Sequence, residues 1–266
     1  AVSVYNRTRA KAEALAGETS VTVADTPRAV AEASDVVITM VSDVPDVEQV
    51  YFAEGSGIAH GLRPGMVCVD MGTVGVKCVQ NVAGELKKRD TGFVDAPVSG
   101  GSWGAEQGTL SIMAGGAKAD FDRAYPLFES MGKKIVHCGA TVGDGQKVKL
   151  VNQIQIALTL EAVAEGIRFA QKTGTDIPAA IEAVGAGAGG SWSWNNLAAR
   201  MASGDFAPGF KIAHLIKDLR LALEAADAVN LPLPGVRLVL SHYKRLRERN
   251  AAANDWGTQA LIEAFA

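Results

Sequence analysis

Strand-length apolar runs alternate with helix-length segments through the first 142 residues, and no further strand pattern appears in the rest of the 266-residue chain. That switch of period admits few folds: a parallel sheet wrapped by helices, followed by a domain built from helices alone. Runs at 2–5, 21–23, 36–40, 67–70, 93–95 and 135–137 read as strands, and segments at 8–16, 27–33, 44–51, 76–88 and 119–131 as the helices between them. Asp35-Val-Val-Ile-Thr-Met40 is nearly continuous in apolar residues, as a strand buried on both faces of a parallel sheet has to be. The first domain, 1–142, is therefore predicted as doubly wound α/β. Helical segments follow at 146–173, 178–184, 194–202, 210–228, 234–249 and 258–264, so 143–266 is predicted as all-α. Gly185-Ala-Gly-Ala-Gly-Gly190 follows a helix rather than a strand, which makes it an inter-helix turn and not a dinucleotide loop.

Charge removes one class of partner. A net charge of −3 gives no field for nucleic acid, and Lys244-Arg-Leu-Arg-Glu-Arg249 is broken by Leu246 and Glu248 like a solvated helix face. Cys68, Cys78 and Cys138 are odd in number and set among apolar residues, so they read as reduced packing residues, and a cytoplasmic setting is expected. Nothing approaches an apolar membrane span, and the opening Ala1-Val-Ser-Val-Tyr-Asn-Arg has no targeting pattern. His60, His137, His214 and His242 lack metal-ligand or triad spacing, so no metal is expected.

Two segments carry chemistry. Lys149 is followed at helical spacing by Asn152 and Gln153, an ammonium flanked by amides on one helix face, which suits proton transfer at a carbonyl oxygen. About fifty residues earlier, Ser99-Gly100-Gly101 follows a strand ending in Asp95-Ala-Pro. A hydroxyl beside two unobstructed backbone N–H groups is able to hold a carboxylate.

These segments, with Asp70-Met-Gly-Thr73, Gly108-Thr-Leu-Ser-Ile-Met-Ala-Gly-Gly116, Gly143-x-Gly145-x-x-x-Lys149-Leu-Val-Asn-Gln153 and Phe210-Lys-Ile-Ala-His-Leu-Ile-Lys217-Asp218-Leu, resemble the β-hydroxyacid dehydrogenase family, in the family's order and spacing. The resemblance implies a Rossmann-type sheet, a nicotinamide cofactor, and interconversion of a small β-hydroxy acid with its semialdehyde. Tartronate semialdehyde is the first expectation and 3-hydroxyisobutyrate the second. It implies Lys149 as general acid and base, Ser99, Gly100 and Gly101 at the substrate carboxylate, and Asn152 and Gln153 orienting Lys149 or binding substrate. Thr73 is placed near both substrate and nicotinamide, Lys217 at the cofactor, and Phe210 and Asp218 near the mouth of the site. Val41 and Ser42 resemble the loop beside the adenosine ribose. Trp192 and Trp194 border the substrate region by likeness, or are packing residues. Imine reductases share the architecture but generally replace this lysine, so Lys149 points away from them. A homo-oligomer, a dimer or tetramer held through the helical half, is also implied.

Asn6, Arg7 and Thr8 follow the first strand, where an acidic residue would suit the ribose hydroxyl of NAD; an arginine suits a 2′-phosphate, so NADPH is favoured over NAD. Two departures from the family pattern stand out. The opening strand and its G-x-G-x-x-G turn are absent, which is expected of a fragment, with loss of the phosphate site as the other reading; Gly72 occupies a position where the family usually has Ser. Loss of the turn would favour a rival, non-catalytic reading, a dimeric scaffold or ligand-sensing descendant.

Overall fold

The computed structural model describes residues 1–265, which divide into two compact units, 1–100 with 104–149, and 101–103 with 150 onward. The first unit opens with strand β1 (Ser3–Val4), helix α1 (Arg9–Glu18) and strand β2 (Thr22–Val23), which pairs with β1 in parallel as a sheet of its own. Then come α2 (Pro27–Glu32), β3 (Val36–Thr39), α3 (Val44–Phe52), a 3-10 turn at Ile58–His60, β4 (Val67–Asp70), α4 (Val76–Lys87) and β5 (Gly92–Asp95). Local signals set these boundaries. Thr26 accepts a hydrogen bond from Ala29 N with Pro27 at the first helical position, and Asp43 accepts from Val44 N ahead of Pro45.

β3, β4 and β5 are parallel, and β4 is buried at all four positions. Successive side chains leave opposite faces of the sheet. Cys68 therefore packs with Val37, Tyr51, Val79, Leu86 and Phe93 on one side, and Val67, Val69 and Val94 with Ile112, Phe121 and Phe128 on the other. Helices α3 and α4 supply the first layer; α6 (Lys118–Met131) supplies the second, which makes the domain doubly wound.

The segment after Asp95 departs from the sequence expectation. It holds β6 (Val98–Ser99), α5 (Gly101–Glu106) and β7 (Leu110–Gly115) ahead of α6 and β8 (Gly132–Gly139). The six-stranded sheet runs β3-β4-β5-β7-β6 with β8 also on β7; β7 is antiparallel to β5 and β6 and parallel to β8, so the sheet is mixed rather than wholly parallel. Leu110-Ser-Ile-Met-Ala-Gly115 has few β-branched residues, and neighbouring strands rather than propensity hold it extended.

The helical unit is carried by α7 (Asp144–Thr173), α8 (Ile177–Gly185), α9 (Trp192–Ser203), α10 (Ile212–Asp227) and α11 (Pro234–Arg249). Leu160, Ala164 and Ile167 of α7 pack with Ala198 and Met201, Leu215 and Leu219, and Val239 and Tyr243 from α9, α10 and α11. Ser191 caps α9 by accepting from Trp194 N, and the chain leaves that helix through left-handed Gly204. The Gly185–Gly190 stretch does join two helices. The segment predicted as a helix at 258–264 is instead a 3-10 helix, Thr258–Phe265, whose start is pinned by Gly257 N to Phe206 O and Thr258 N to Phe210 O. Among the described residues no helix is long and apolar enough to cross a membrane.

Candidate active site

Thr39, Asp70 and Asp95 end β3, β4 and β5 and stand side by side in the parallel register, at the strand edge where open α/β sheets take ligands. Thr39 Oγ1 donates to Asp70 Oδ2 (2.6 Å) and Gly72 N to Asp70 Oδ1 (3.1 Å), which turns the loop after β4 inward. A Cβ at Gly72 would lie 2.7 Å from the Val41 carbonyl oxygen, so in this chain the close passage of two loops fills the space a serine would need. Thr73, half-buried, lies in the same loop; Val41, half-buried, and exposed Ser42 follow β3.

The first turn of α7 is fixed to this edge by Asp95. Its Oδ1 accepts from Gly143 N (2.6 Å) and its Oδ2 from Gln146 N (2.7 Å), satisfying donors that a helix start leaves free. Burial pushes the Asp95 carboxyl up to about 7, the two N–H groups oppose that rise, and the charge of Asp144 adds to it. Gln146 Oε1 accepts from Val74 N (3.1 Å) and Gly75 N (3.0 Å), and Gln146 Nε2 donates to Gly72 O (2.9 Å). Lys149 comes one turn later with only 6% of its surface exposed. An ammonium on a rigid helix and largely removed from bulk water is a chemically usable proton donor.

Ser99 ends β6 opposite Ser111, half-buried. Gly100 and Gly101 follow with φ of +139° and +65°, backbone that L-residues rarely adopt and glycine takes without strain.

At the end of β1, Thr8 N donates to Asn6 Oδ1 (2.9 Å), and Arg7 reaches Asp46 Oδ1 (2.8 Å) from an exposed position. Asn6, Arg7, Arg9 and Asp25 line a cleft of about 160 Å3, with Arg9 hydrogen-bonded to Glu13 and Asp25. Arg7, in the loop after β1, and Arg9, the first residue of α1, put two guanidinium groups on this cleft, donors of the kind that can meet phosphate oxygens.

In the helical unit, Asn152 Nδ2 donates to Gln153 Oε1 (2.8 Å), Gln153 Nε2 donates to Asp218 Oδ2, and Lys217 Nζ stands 2.7 Å from Asp218 Oδ1. Gln153 and Asp218 are buried, so this is an interior polar chain and not a surface ion pair. Phe210, half-buried, lies just ahead of α10 with its ring 5.9 Å from that of His214. The two tryptophans part company: Trp194 is core, with Nε1 donating to Ile181 O, whereas Trp192 is exposed.

In the sequence Asp95 stands out only as part of a motif, Gln146 only as the start of a helix, and Arg9 and exposed Trp103 carry no sign of a role. A carboxylate closing an apolar strand was the available signal for Asp95; no local pattern marks Gln146.

Two family models match the chain: residues 1–139 match the NAD binding domain of 6-phosphogluconate dehydrogenase, and residues 143–265 match the model described as NAD-binding of NADP-dependent 3-hydroxyisobutyrate dehydrogenase. The 2-hydroxy-3-oxopropionate reductase of Escherichia coli is 43% identical over 245 residues, covering 91% of this chain and 81% of its own. The probable mitochondrial 3-hydroxyisobutyrate dehydrogenase-like 1 of Arabidopsis thaliana is 42% identical, with 99% of this chain and 78% of its own covered. Among solved structures, the Mycobacterium tuberculosis 3-hydroxyisobutyrate dehydrogenase with L-serine has a TM-score of 0.87 at 30% identity, covering 98% of this chain and 89% of its own.

Proposed function

The chain belongs to the β-hydroxyacid dehydrogenase family of NAD(P)-dependent oxidoreductases, and from that premise we propose that it interconverts a small β-hydroxy acid and its semialdehyde, with Lys149 as general acid and base. Tartronate semialdehyde is the first substrate, 3-hydroxyisobutyrate the second. The observation that carries the reading is the buried Lys149 ammonium on a helix whose first turn is tied to the ligand-binding edge of the sheet. When bound, the nicotinamide supplies or accepts the hydride at the substrate carbon. The protein's own part is the proton. In reduction Lys149 Nζ gives a proton to the carbonyl oxygen as negative charge gathers there; in oxidation the neutral amine takes it from the hydroxyl. Ser99 Oγ and the amides of Gly100 and Gly101 grip the carboxylate, and Thr73 lies against substrate and nicotinamide. Asn152, Gln153 and Asp218 orient or bind substrate through their shared hydrogen bonds.

On the cofactor side, Asn6, Arg7 and Thr8, with Val41, Ser42, Phe210 and Lys217, hold the dinucleotide, and Arg7 favours NADPH over NADH. The protein is a homo-oligomer joined through its helical half; exposed Leu158 and Phe169 on α7 and Leu238 on α11 support this, and sedimentation measures it. The decisive experiment is steady-state turnover of tartronate semialdehyde and 3-hydroxyisobutyrate by wild type and Lys149→Ala. The variant is expected to lose about 10²–10⁴-fold in kcat, the usual worth of a positioned acid or base, while cofactor binding by fluorescence titration stays unchanged. Equal kcat in the two proteins sinks the lysine's role, and a folded wild type that binds neither NADPH nor NADH sinks the enzyme reading.

A further inference from the structure

We propose that Asp95 and Gln146 are positioning residues that set Lys149 against the Thr73 loop, by clamping the first turn of α7 to the carboxyl edge of the sheet. This inference rests on the role given to Lys149 above. Five hydrogen bonds and one close backbone approach converge on the turn. Asp95 accepts both Gly143 N and Gln146 N, a two-oxygen, two-donor match that an amide in its place cannot reproduce. Gln146, completely buried, accepts from Val74 N and Gly75 N and donates to Gly72 O, so one side chain brackets Thr73 from before and after. Gly145 approaches so closely that a Cβ there would lie 2.2 Å from Met113 O and 2.7 Å from Asp95 O, which leaves the turn no room to slide. Lys149 follows Gln146 by three residues, one turn along the same helix face. A displacement of about 1 Å at a reacting group costs on the order of a hundredfold in rate, so a clamp at this turn has kinetic weight.

The clamp also has a pH response. Asp95 is faced by Asp144 on α7, itself paired with Lys147 at 2.9 Å and acted on by His137 of β8, and by Cys138 on β8, and its register neighbour on β4 is Asp70. Its carboxyl, lifted by burial, gains a proton as pH falls through about 7, and one of its two acceptor oxygens then becomes a hydroxyl.

The test combines amide hydrogen exchange with kinetics on wild type, Asp95→Asn, Gln146→Met and Gln146→Glu. In wild type, exchange at Gly143 and Gln146, corrected for intrinsic rates, is expected to quicken between pH 8 and pH 6. Asp95→Asn is expected to show fast exchange there at both pH values, about tenfold above wild type at pH 8, and Gln146→Met the same at Val74 and Gly75. Both should lose about a hundredfold in kcat with cofactor affinity held. Gln146→Glu, which keeps the acceptor oxygens, should recover part of the loss. Flat exchange in wild type across that range overturns the pH response. Wild-type exchange and kcat in folded Gln146→Met overturn the clamp even if Asp95→Asn does not fold. Lys149→Ala separates the two readings: full activity there removes the lysine's role, whereas loss there with unchanged Asp95 and Gln146 variants leaves the lysine and removes the clamp.

Discussion

Arg7 illustrates how much one residue settles and how much its surroundings do. Its guanidinium is exposed and tied to Asp46, so it is available to a 2′-phosphate at the cost of one surface ion pair. Arg7→Ala is expected to weaken NADPH binding about tenfold, roughly one charge-assisted hydrogen bond, with NADH binding nearly unchanged, as read by fluorescence titration. Equal weakening of both cofactors would place Arg7 elsewhere than at the 2′ position. Candidates of this kind come from residue type and spacing alone, Lys149 ahead of two amides and Ser99 ahead of two glycines. Gln146 was not legible, because its partners Gly72, Val74 and Gly75 lie more than seventy residues away. Gly72 read as a departure from family pattern, and its reason, the carbonyl oxygen of Val41 pressed against it, exists only in three dimensions.

Helices and strands were legible wherever their period was strong. The α7 helix was expected and is present; the short β6 and α5 and the Ser- and Gly-bearing β7 were not, because runs of two to six residues present too little pattern for local sequence to decide. Elements also bring titratable groups together. Glu161 of α7 lies with Oε1 2.7 Å from His242 Nδ1 of α11, close but without an aligned hydrogen bond. Burial raises the Glu161 carboxyl to about 7, Glu165 adds to the rise, and Arg245 opposes it. Burial lowers His242, aided by Arg245 and opposed by Glu165. Because the folded carboxyl holds its proton more tightly than the unfolded one, this group's contribution to stability falls as pH rises from about 4.5 to about 7. Wild type is therefore expected to lose ground to Glu161→Gln in urea unfolding as pH is raised from 5 to 8; a difference that does not change with pH would refute the assignment.

At the scale of the whole molecule, ligand linkage gives the broadest check. A cofactor bound by the folded state alone, at about a hundred times its Kd, adds about 2.7 kcal/mol, enough to raise a thermal midpoint by several degrees. Calorimetry with NADPH is expected to show that rise, and its absence at saturating concentrations would count against cofactor binding. The alternation of strands and helices, the all-helical second half and the five family segments were determined by the sequence itself, because hydrophobic period and motif spacing are local properties of the chain. The antiparallel course of β7, the burial of Asp95 and the bracket Gln146 places around Thr73 were decided only by tertiary structure. Each depends on hydrogen bonds between residues far apart in sequence, whose partners are chosen by which backbone groups the packed fold leaves unpaired and out of reach of water.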